Sequence, residues 1–520
     1  MNNRTTWYLF ICAVILLFIR LGAMSVFQVA EARNVECAYE MHSRNDWIVP
    51  TFNGNLRTDK PALEYFAMIT SFRLFGVSEG SARLFSSICG LLVIFGTYLF
   101  AKKHFNERTA TWSAAILLAS VHAIIQFRLA TPDPYLIFTH AFSVFFFYEG
   151  WTSKKFKWYA WMYVMFGLGL LAKGPIGFLL PALGIFVFLL IKKQFTWKNI
   201  YLLHPWFGVL IIAIVSVPWY YLVHEKTNGA WTQGFFFEHN ISRFEKAVDN
   251  HSGIFLLTFA FVIAGLFPFS VFFIRASQFI GKQLKSNEAV LYTTVSALIV
   301  VLFYCFSSTK LFNYTTPSYP FFAILLGYWI SEIAETKDFK FLKWEFWFIT
   351  LVSFSLPVGI FFWASKTEPL TSVNWLAYPL ILIPLITLSA YFRRQKDNAD
   401  LLLTIAGSYM AVSFLLFTII FPAMDSQTSM RKNEEILTSG KVVVAYKNFN
   451  DAFVFTAKKT IPEIQNLQQL DSALKAHPRL LIVSKAFVSA ELDSMKNLKL
   501  ISKSRDVFSR QYSVIYEEIE

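Results

Sequence analysis

The chain has 520 residues, of which 55% are hydrophobic and only 16% charged, with a mean hydropathy of +0.46. That balance excludes an ordinary soluble globular protein, in which about a quarter of residues carry charge. A formal net charge of +13 would suit nucleic acid, but the basic residues gather in alternate short loops between apolar runs, which is the signature of membrane orientation.

A helix needs about 18 or more mostly apolar residues to cross roughly 30 Å of hydrocarbon. About thirteen such segments are predicted: 6–27, 82–101, 110–127, 132–149, 158–172, 175–191, 206–223, 254–274, 289–306, 317–330, 346–364, 375–392 and 401–421. The first lacks a small-residue cleavage site and reads as a retained anchor. Lys102, Lys103 and Arg108, then Lys154, Lys155 and Lys157, then Lys192, Lys193 and Lys198 mark loops on one side; Arg128, Lys173, Lys310 and Lys366 are the few cations on the other. An N-terminus in the cytoplasm and a C-terminal tail outside follow from this asymmetry. Cys12, Cys89 and Cys305 fall in apolar spans and Cys37 stands alone outside, so no disulfide framework is expected.

The first outer loop, 28–81, opens with a predicted helix over 31–44, whose Val35, Ala38, Tyr39 and His42 recur at helical spacing. NDWIVPTFNG then breaks it with a proline and an Asn-Gly turn. A second helix is expected from TDKPALEYF, with Thr58 as N-cap and Lys60 and Pro61 in its first turn. Both helices are expected to lie along the membrane surface, apolar sides down. A fourth outer loop spans 224–253. In the tail, 422–520, the stretches KVVVAY, AFVFTA, RLLIVSK and QYSVIYEE read as strands, and NLQQLDSALKAH and AFVSAELDSMKNL as helices. The expected fold class is therefore an all-α polytopic membrane domain over 1–421 followed by a small extracytoplasmic α/β domain over 422–520.

Charges near the hydrocarbon boundary are costly unless compensated, which makes the outer-face residues the ones to weigh. A lysine at a helix start is disfavoured by up to about 1 kcal/mol unless an anion is present, so Lys60 reads as a phosphate ligand, with a snorkelling lysine as the plain alternative. Glu31 and Asp133 are candidate acids; Asp133, between two prolines, equally suits an N-cap. Lys173 and Lys310 interrupt apolar surroundings and invite an anionic partner, with Tyr314 and Tyr319 near Lys310 as hydroxyl donors. Glu238, His239, Arg243 and His251 in the fourth loop match no compact metal-ligand spacing; an arginine gripping phosphate or carboxylate is the better reading of Arg243. No Walker A sequence, no GxGxxG after a strand and no sizeable cytoplasmic domain is present to hold a nucleotide. GLGLLAKG is glycine-rich inside a span, where close helix packing accounts for it.

In this order, AEARNVECAYEM, NDWIVPTFNGNLRTDKPALEYF, RLATPDPYLIF, LAKGPIGFLLP, VPWYYLV, EHNISRF and STKLFNYTTPSYPFFA resemble bacterial members of the protein mannosyltransferase and aminoarabinose (lipid A) transferase superfamily. The resemblance covers residues 5–335 and the later spans by architecture only. It implies a C-type glycosyltransferase fold and transfer, with inversion, of a sugar from a polyprenyl-phosphate donor. It also implies an Asp-Glu pair in the first outer loop, a later aspartate and a lysine before proline that meets the donor phosphate. Lys60 and Asp133 match the last two; Ala30 stands where the pair has aspartate, leaving Glu31. On this reading Glu31 and Asp133 are catalytic, Lys60, Arg243 and Lys310 bind the donor phosphate, and Arg33, Asp59, Arg128, Lys173, His239, Tyr314 and Tyr319 line the substrates. No cofactor is required and a divalent metal has no support in the sequence. The expected partners are the lipid-phosphate donor, a glycolipid, glycan or protein acceptor and the bilayer, acting on a monomer, without nucleic acid. The rival class is a transporter or flippase of lipid-linked sugars, which calls for charges along a midplane path and inverted repeats; here most candidates gather at one face, with Arg20, His122 and His140 as the few polar exceptions. A membrane-anchored binding protein acting through its tail is a third reading.

Overall fold

The computed structural model describes residues 3–241, 253–336, 343–393, 398–477, 479–507 and 511–519. It is mostly helical, with a small C-terminal sheet. Among the described residues six helices are long and apolar enough to cross a membrane, including Glu79–His104, Pro205–Lys226, Glu288–Phe306 and Lys343–Lys366. Two shorter apolar helices, Thr5–Phe18 and Pro175–Ile191, join them.

In chain order, α1 (Asn3–Phe18) leads through an irregular link to α2 (Val29–Ser43), a two-stranded hairpin of β1 (Thr51–Phe52) and β2 (Asn55–Leu56), and α3 (Leu63–Phe75). The long α4 (Glu79–His104) begins at a capping box, Ser78 accepting from the Ser81 amide at 3.1 Å. After α5 (Glu107–Ala119) and α6 (Val121–Gln126) come α7 (Asp133–Ser153), α8 (Phe156–Lys173) and α9 (Pro175–Ile191). Gly174, at φ 69°, ends α8 and Pro175 opens α9. The two helices cross so closely that a Cβ on Gly177 would lie 2.1 Å from the Gly169 carbonyl oxygen, which accounts for Gly169 of GLGLLAKG.

The largest core cluster runs through the helical bundle, from Leu9 of α1 to Ile420. A second core joins α2 and α3 to the tail through Val35, Ala38 and Met68 on one side and Phe453, Val483 and Ile515 on the other. The tail sheet has the order β4-β3-β5-β7-β6, with β3 (Val443–Tyr446) parallel to β4 (Glu463–Ile464) and β5 (Leu481–Lys485), and β7 (Tyr512–Glu518) antiparallel to β5 and β6 (Leu498–Arg505). Polar clasps fix it to the first outer loop: Asn53 exchanges bonds of 2.9 and 2.7 Å with Ile461, and Asp425 accepts from the Ser25 amide at 2.8 Å.

Three expectations are corrected. AFVFTA is a helix, Ala452–Ala457, because a six-residue apolar run fits a short buried helix as well as a strand, and the Asn450 side chain accepts from the Ala452 amide to start it. α2 does not lie on a lipid surface: Glu31, Asn34, Glu36 and Glu40 are buried along with its apolar residues, because the tail packs on its apolar residues while Arg83, Ala130, Glu64 and the hairpin enclose Glu31, Asn34 and Glu40. α3 starts at Leu63, not at Thr58; the residue before a proline is pushed out of the helical region, so Lys60, ahead of Pro61, cannot be its first turn.

Candidate active site at the outer end of the bundle

Two hydrogen-bonded groups form here: one ties α2 and α3 to Arg83 and to Ala130 ahead of α7, the other ties Asp133 at the start of α7 to Lys173 and to Asn313 of the segment 307–318. Glu31, fully buried, takes a fork from Arg83, Nε to Oε1 at 2.7 Å and Nη2 to Oε2 at 2.8 Å, and Oε1 also accepts from the Ala130 amide at 2.9 Å. Arg83 spends its remaining N–H groups on the carbonyls of Leu21, Met24 and Ser25. One turn along α2, Asn34 accepts from Arg57 at 2.6 Å and donates to Glu64 at 3.3 Å and to the Ala130 carbonyl at 3.4 Å. Arg57 grips Asp59, Nε to Oδ1 at 2.5 Å, and Lys60 lies beside it, its Nζ 3.1 Å from the Asp59 carbonyl oxygen and 3.5 Å from the carboxylate.

Glu64 occupies the centre of this arrangement. It is fully buried, its Oε1 accepts no hydrogen bond, and its carboxyl is pushed above the ordinary range by burial, an effect that Arg57 and Lys60 partly offset and that Asp59 and Asp133 reinforce. Asp133 opens α7 and is held on both oxygens, by Lys173 at 2.5 Å on Oδ1 and by Asn313 at 2.6 Å on Oδ2. The Lys173 ammonium also lies 5.0 Å from the Tyr314 ring centroid, within cation–π range. The structure thus draws Lys60, Asp59, Asp133, Lys173 and Tyr314 towards one region, with Glu31 behind them.

Other sequence candidates sit elsewhere. Arg128 is buried against the end of α1, donating to the Leu16 and Ile19 carbonyls at 2.6 and 2.7 Å with its guanidinium 4.0 Å from the Phe417 ring; a cation there satisfies carbonyls that a helix end leaves open. The Tyr319 hydroxyl is 2.9 Å from Nδ1 of His122 inside the bundle. Lys310 is buried, its Nζ on the Ser307 carbonyl at 2.6 Å. Arg33 points the other way, to Asp451 of the tail at 2.7 Å. Arg243 and the side chain of His239 lie outside the described residues. Among the described residues no group of three or more His, Cys, Asp or Glu is placed to hold a metal ion.

Sequence reasoning missed Glu64, Asn34, Arg57, Arg83 and Asn313. A carboxylate four residues after Lys60 in an apolar helix was a readable signal for Glu64; the others become visible only through their partners.

Residues 59–221 match the family model for dolichyl-phosphate-mannose-protein mannosyltransferase. An uncharacterized protein of Aquifex aeolicus is 24% identical over 85% of this chain and 95% of its own length. The undecaprenyl phosphate-alpha-4-amino-4-deoxy-L-arabinose arabinosyl transferase of Pectobacterium atrosepticum is 27% identical over 61% of this chain, which spans 57% of that relative. The crystal structure of ArnT from Cupriavidus metallidurans bound to undecaprenyl phosphate superposes with a TM-score of 0.81 at 20% identity, covering 98% of each chain. The chain thus shares the fold of the ArnT crystal structure and is similar in sequence, over residues 59–221, to dolichyl-phosphate-mannose-protein mannosyltransferases.

Proposed function

We propose that this chain is a glycosyltransferase that moves a sugar from a polyprenyl phosphate, undecaprenyl phosphate in a bacterium, to an acceptor hydroxyl or phosphate at the outer face of the inner membrane, with inversion. The observation that carries this reading is that the charges of Lys60 and of Asp133, the latter held by Lys173 and Asn313, both act on the buried Glu64 carboxyl. In the reaction the acceptor oxygen attacks the anomeric carbon, the bond from that carbon to the phosphate oxygen breaks, and the electron pair leaves with the phosphate. Lys60 and Lys173 stabilise that growing charge, with Arg243 as a further cation for the phosphate. The acceptor proton goes to a carboxylate. Glu31 already accepts three bonds, whereas Asp133 accepts one on each oxygen and keeps lone pairs for a hydroxyl; Asp133 is therefore the base and Glu31 the residue that positions the loop. The same reading includes thirteen spans, a cytoplasmic N-terminus, an outer C-terminal domain over 422–520 and action as a monomer.

The test uses sealed vesicles containing the chain and radiolabelled lipid-linked sugar. Covalent label on an acceptor is the expected result, lost in Lys60→Ala at equal expression. A change in the sidedness of the lipid without covalent transfer would replace this reading with the flippase, which no comparison favours.

A further inference from the structure

The geometry points to a second ligand site, a pocket for the saccharide part of the acceptor, formed where the tail domain meets the first turn of α2. It rests on the transferase reading only for the identity of that saccharide as the acceptor. A cavity of about 790 Å³ lies there, within the roughly 300–1,000 Å³ range of ligand pockets. Its tail-side wall is built at one end of the sheet, by Asn448, Phe449 and Asp451 after β3, Lys485 and Phe487 at the end of β5, and Asp506 after β6. Because β3 and β5 run parallel, this is their shared carboxyl edge, the place where open α/β sheets bind ligands. Ala30 of α2 closes the opposite side.

The chemistry of the lining selects the ligand class. The charged side chains lining the cavity among the described residues are Arg33, Asp451, Lys485 and Asp506, and they cancel in two ion pairs, Arg33–Asp451 at 2.7 Å and Lys485–Asp506 at 2.5 Å. Asp506 is further saturated by Ser429 at 2.6 Å, Asn450 at 2.9 Å and Ser513 at 3.1 Å, so it forms a floor rather than a ligand for cations. A neutral wall offers nothing to a phosphate or a polyanion. The groups presented to a ligand are instead the amides of Gln28 and Asn448, the second oxygen of Asp451 and the faces of Phe449 and Phe487, the latter 61% exposed at the edge. Amides and a carboxylate for hydroxyls, with rings for C–H faces, suit an uncharged, hydroxyl-rich glycan. Position supports the same assignment: Ala30 lines this cavity while its neighbours Glu31 and Asn34 hold the donor-side cluster, so a glycan here is separated from that cluster by the width of one helix.

The test uses the full chain in nanodiscs, radiolabelled lipid-linked sugars as donor, and total envelope lipids from a strain lacking the chain as the acceptor probe. Phe487→Ala and Asn448→Ala are expected to raise the acceptor concentration at half-maximal rate by about five- to tenfold, the loss of one contact each, with kcat and the Kd for undecaprenyl phosphate unchanged. Ala30→Trp, which fills the cavity, is expected to raise it further; an unchanged undecaprenyl phosphate Kd shows that each variant is folded. Unaltered acceptor dependence in all three variants, or label recovered in polypeptide instead of glycan, overturns the assignment. Titration calorimetry of the wild-type chain with oligosaccharides released from those lipids separates the two readings: binding without any transfer keeps the saccharide pocket and removes the transferase mechanism.

Discussion

Two ion pairs, both reached from the first outer loop, differ in how far they are enclosed. In Glu31–Arg83 both partners are buried and every guanidinium N–H and both carboxylate oxygens are engaged, across three segments of chain. In Lys60–Asp59 the side chains keep about a fifth of their surface exposed, and the ammonium meets its partner at 3.5 Å. A pair closed off from solvent on both sides holds backbone in place; a pair that keeps part of its surface open is one a substrate can reach. Glu31 and Lys60, both charges beside a membrane, therefore sit in different surroundings.

The comparison is broken most forcefully through Arg83. Arg83→Leu strands a buried carboxylate and is expected to cost about 3–5 kcal/mol, read as a large fall in the thermal midpoint of the chain in nanodiscs. A midpoint equal to wild type would mean that Glu31 is not architectural. Lys60→Ala should do the opposite: a loss of about 10²–10³-fold in transfer, a weaker Kd for undecaprenyl phosphate and an unmoved midpoint. If both variants lost stability equally, the distinction between the two pairs would fail.

Lys60 and Asp133 were legible because a charge at the edge of an apolar run is conspicuous by itself. The bounds of α9 were legible too, since Gly174 and Pro175 punctuate locally. Arg83 was not, because it sits at the head of what reads as a membrane span and its partner is 52 residues away. The enclosure of Glu31 by Arg83 was not legible, since a carboxylate held in a buried fork and one open to solvent look alike in a sequence. The helix start at Leu63 was misjudged where two local rules conflicted: proline is welcome in a first turn, yet it bars the residue ahead of it. The burial of α2 depended in part on a domain more than 400 residues further on, as the Arg33–Asp451 and Tyr39–Lys458 contacts show, and no periodicity within 31–44 announces that.

A smaller effect sharpens the picture of α2. Glu36 is buried beside Glu40, and burial first, then that neighbour, push its carboxyl up to about 8. The folded state therefore binds a proton that the unfolded chain, with its carboxyl near 4.5, releases. Stability from this group is fully present below that value and is lost as pH rises towards about 8, by an amount on the order of a few kcal/mol. Glu36→Gln should remove this part of the slope, making the variant more stable than wild type above the upper value and little different near pH 4.5. Parallel stability curves for the two proteins from acid to mildly alkaline pH would refute it.

The smallest effect belongs to Arg33–Asp451, whose arginine is 49% exposed. An exposed pair contributes up to about 1 kcal/mol and fades with salt, so Arg33→Ala should lower the midpoint slightly at low ionic strength and not at all in concentrated salt. The pair nevertheless balances the charge of the tail-side cavity, and removing the cation leaves Asp451 uncompensated there. Arg33→Ala should therefore discriminate against acidic glycans and spare neutral ones, a change in acceptor preference larger than its change in stability. Equal losses for neutral and acidic acceptors would show that Arg33 merely fastens the tail to α2.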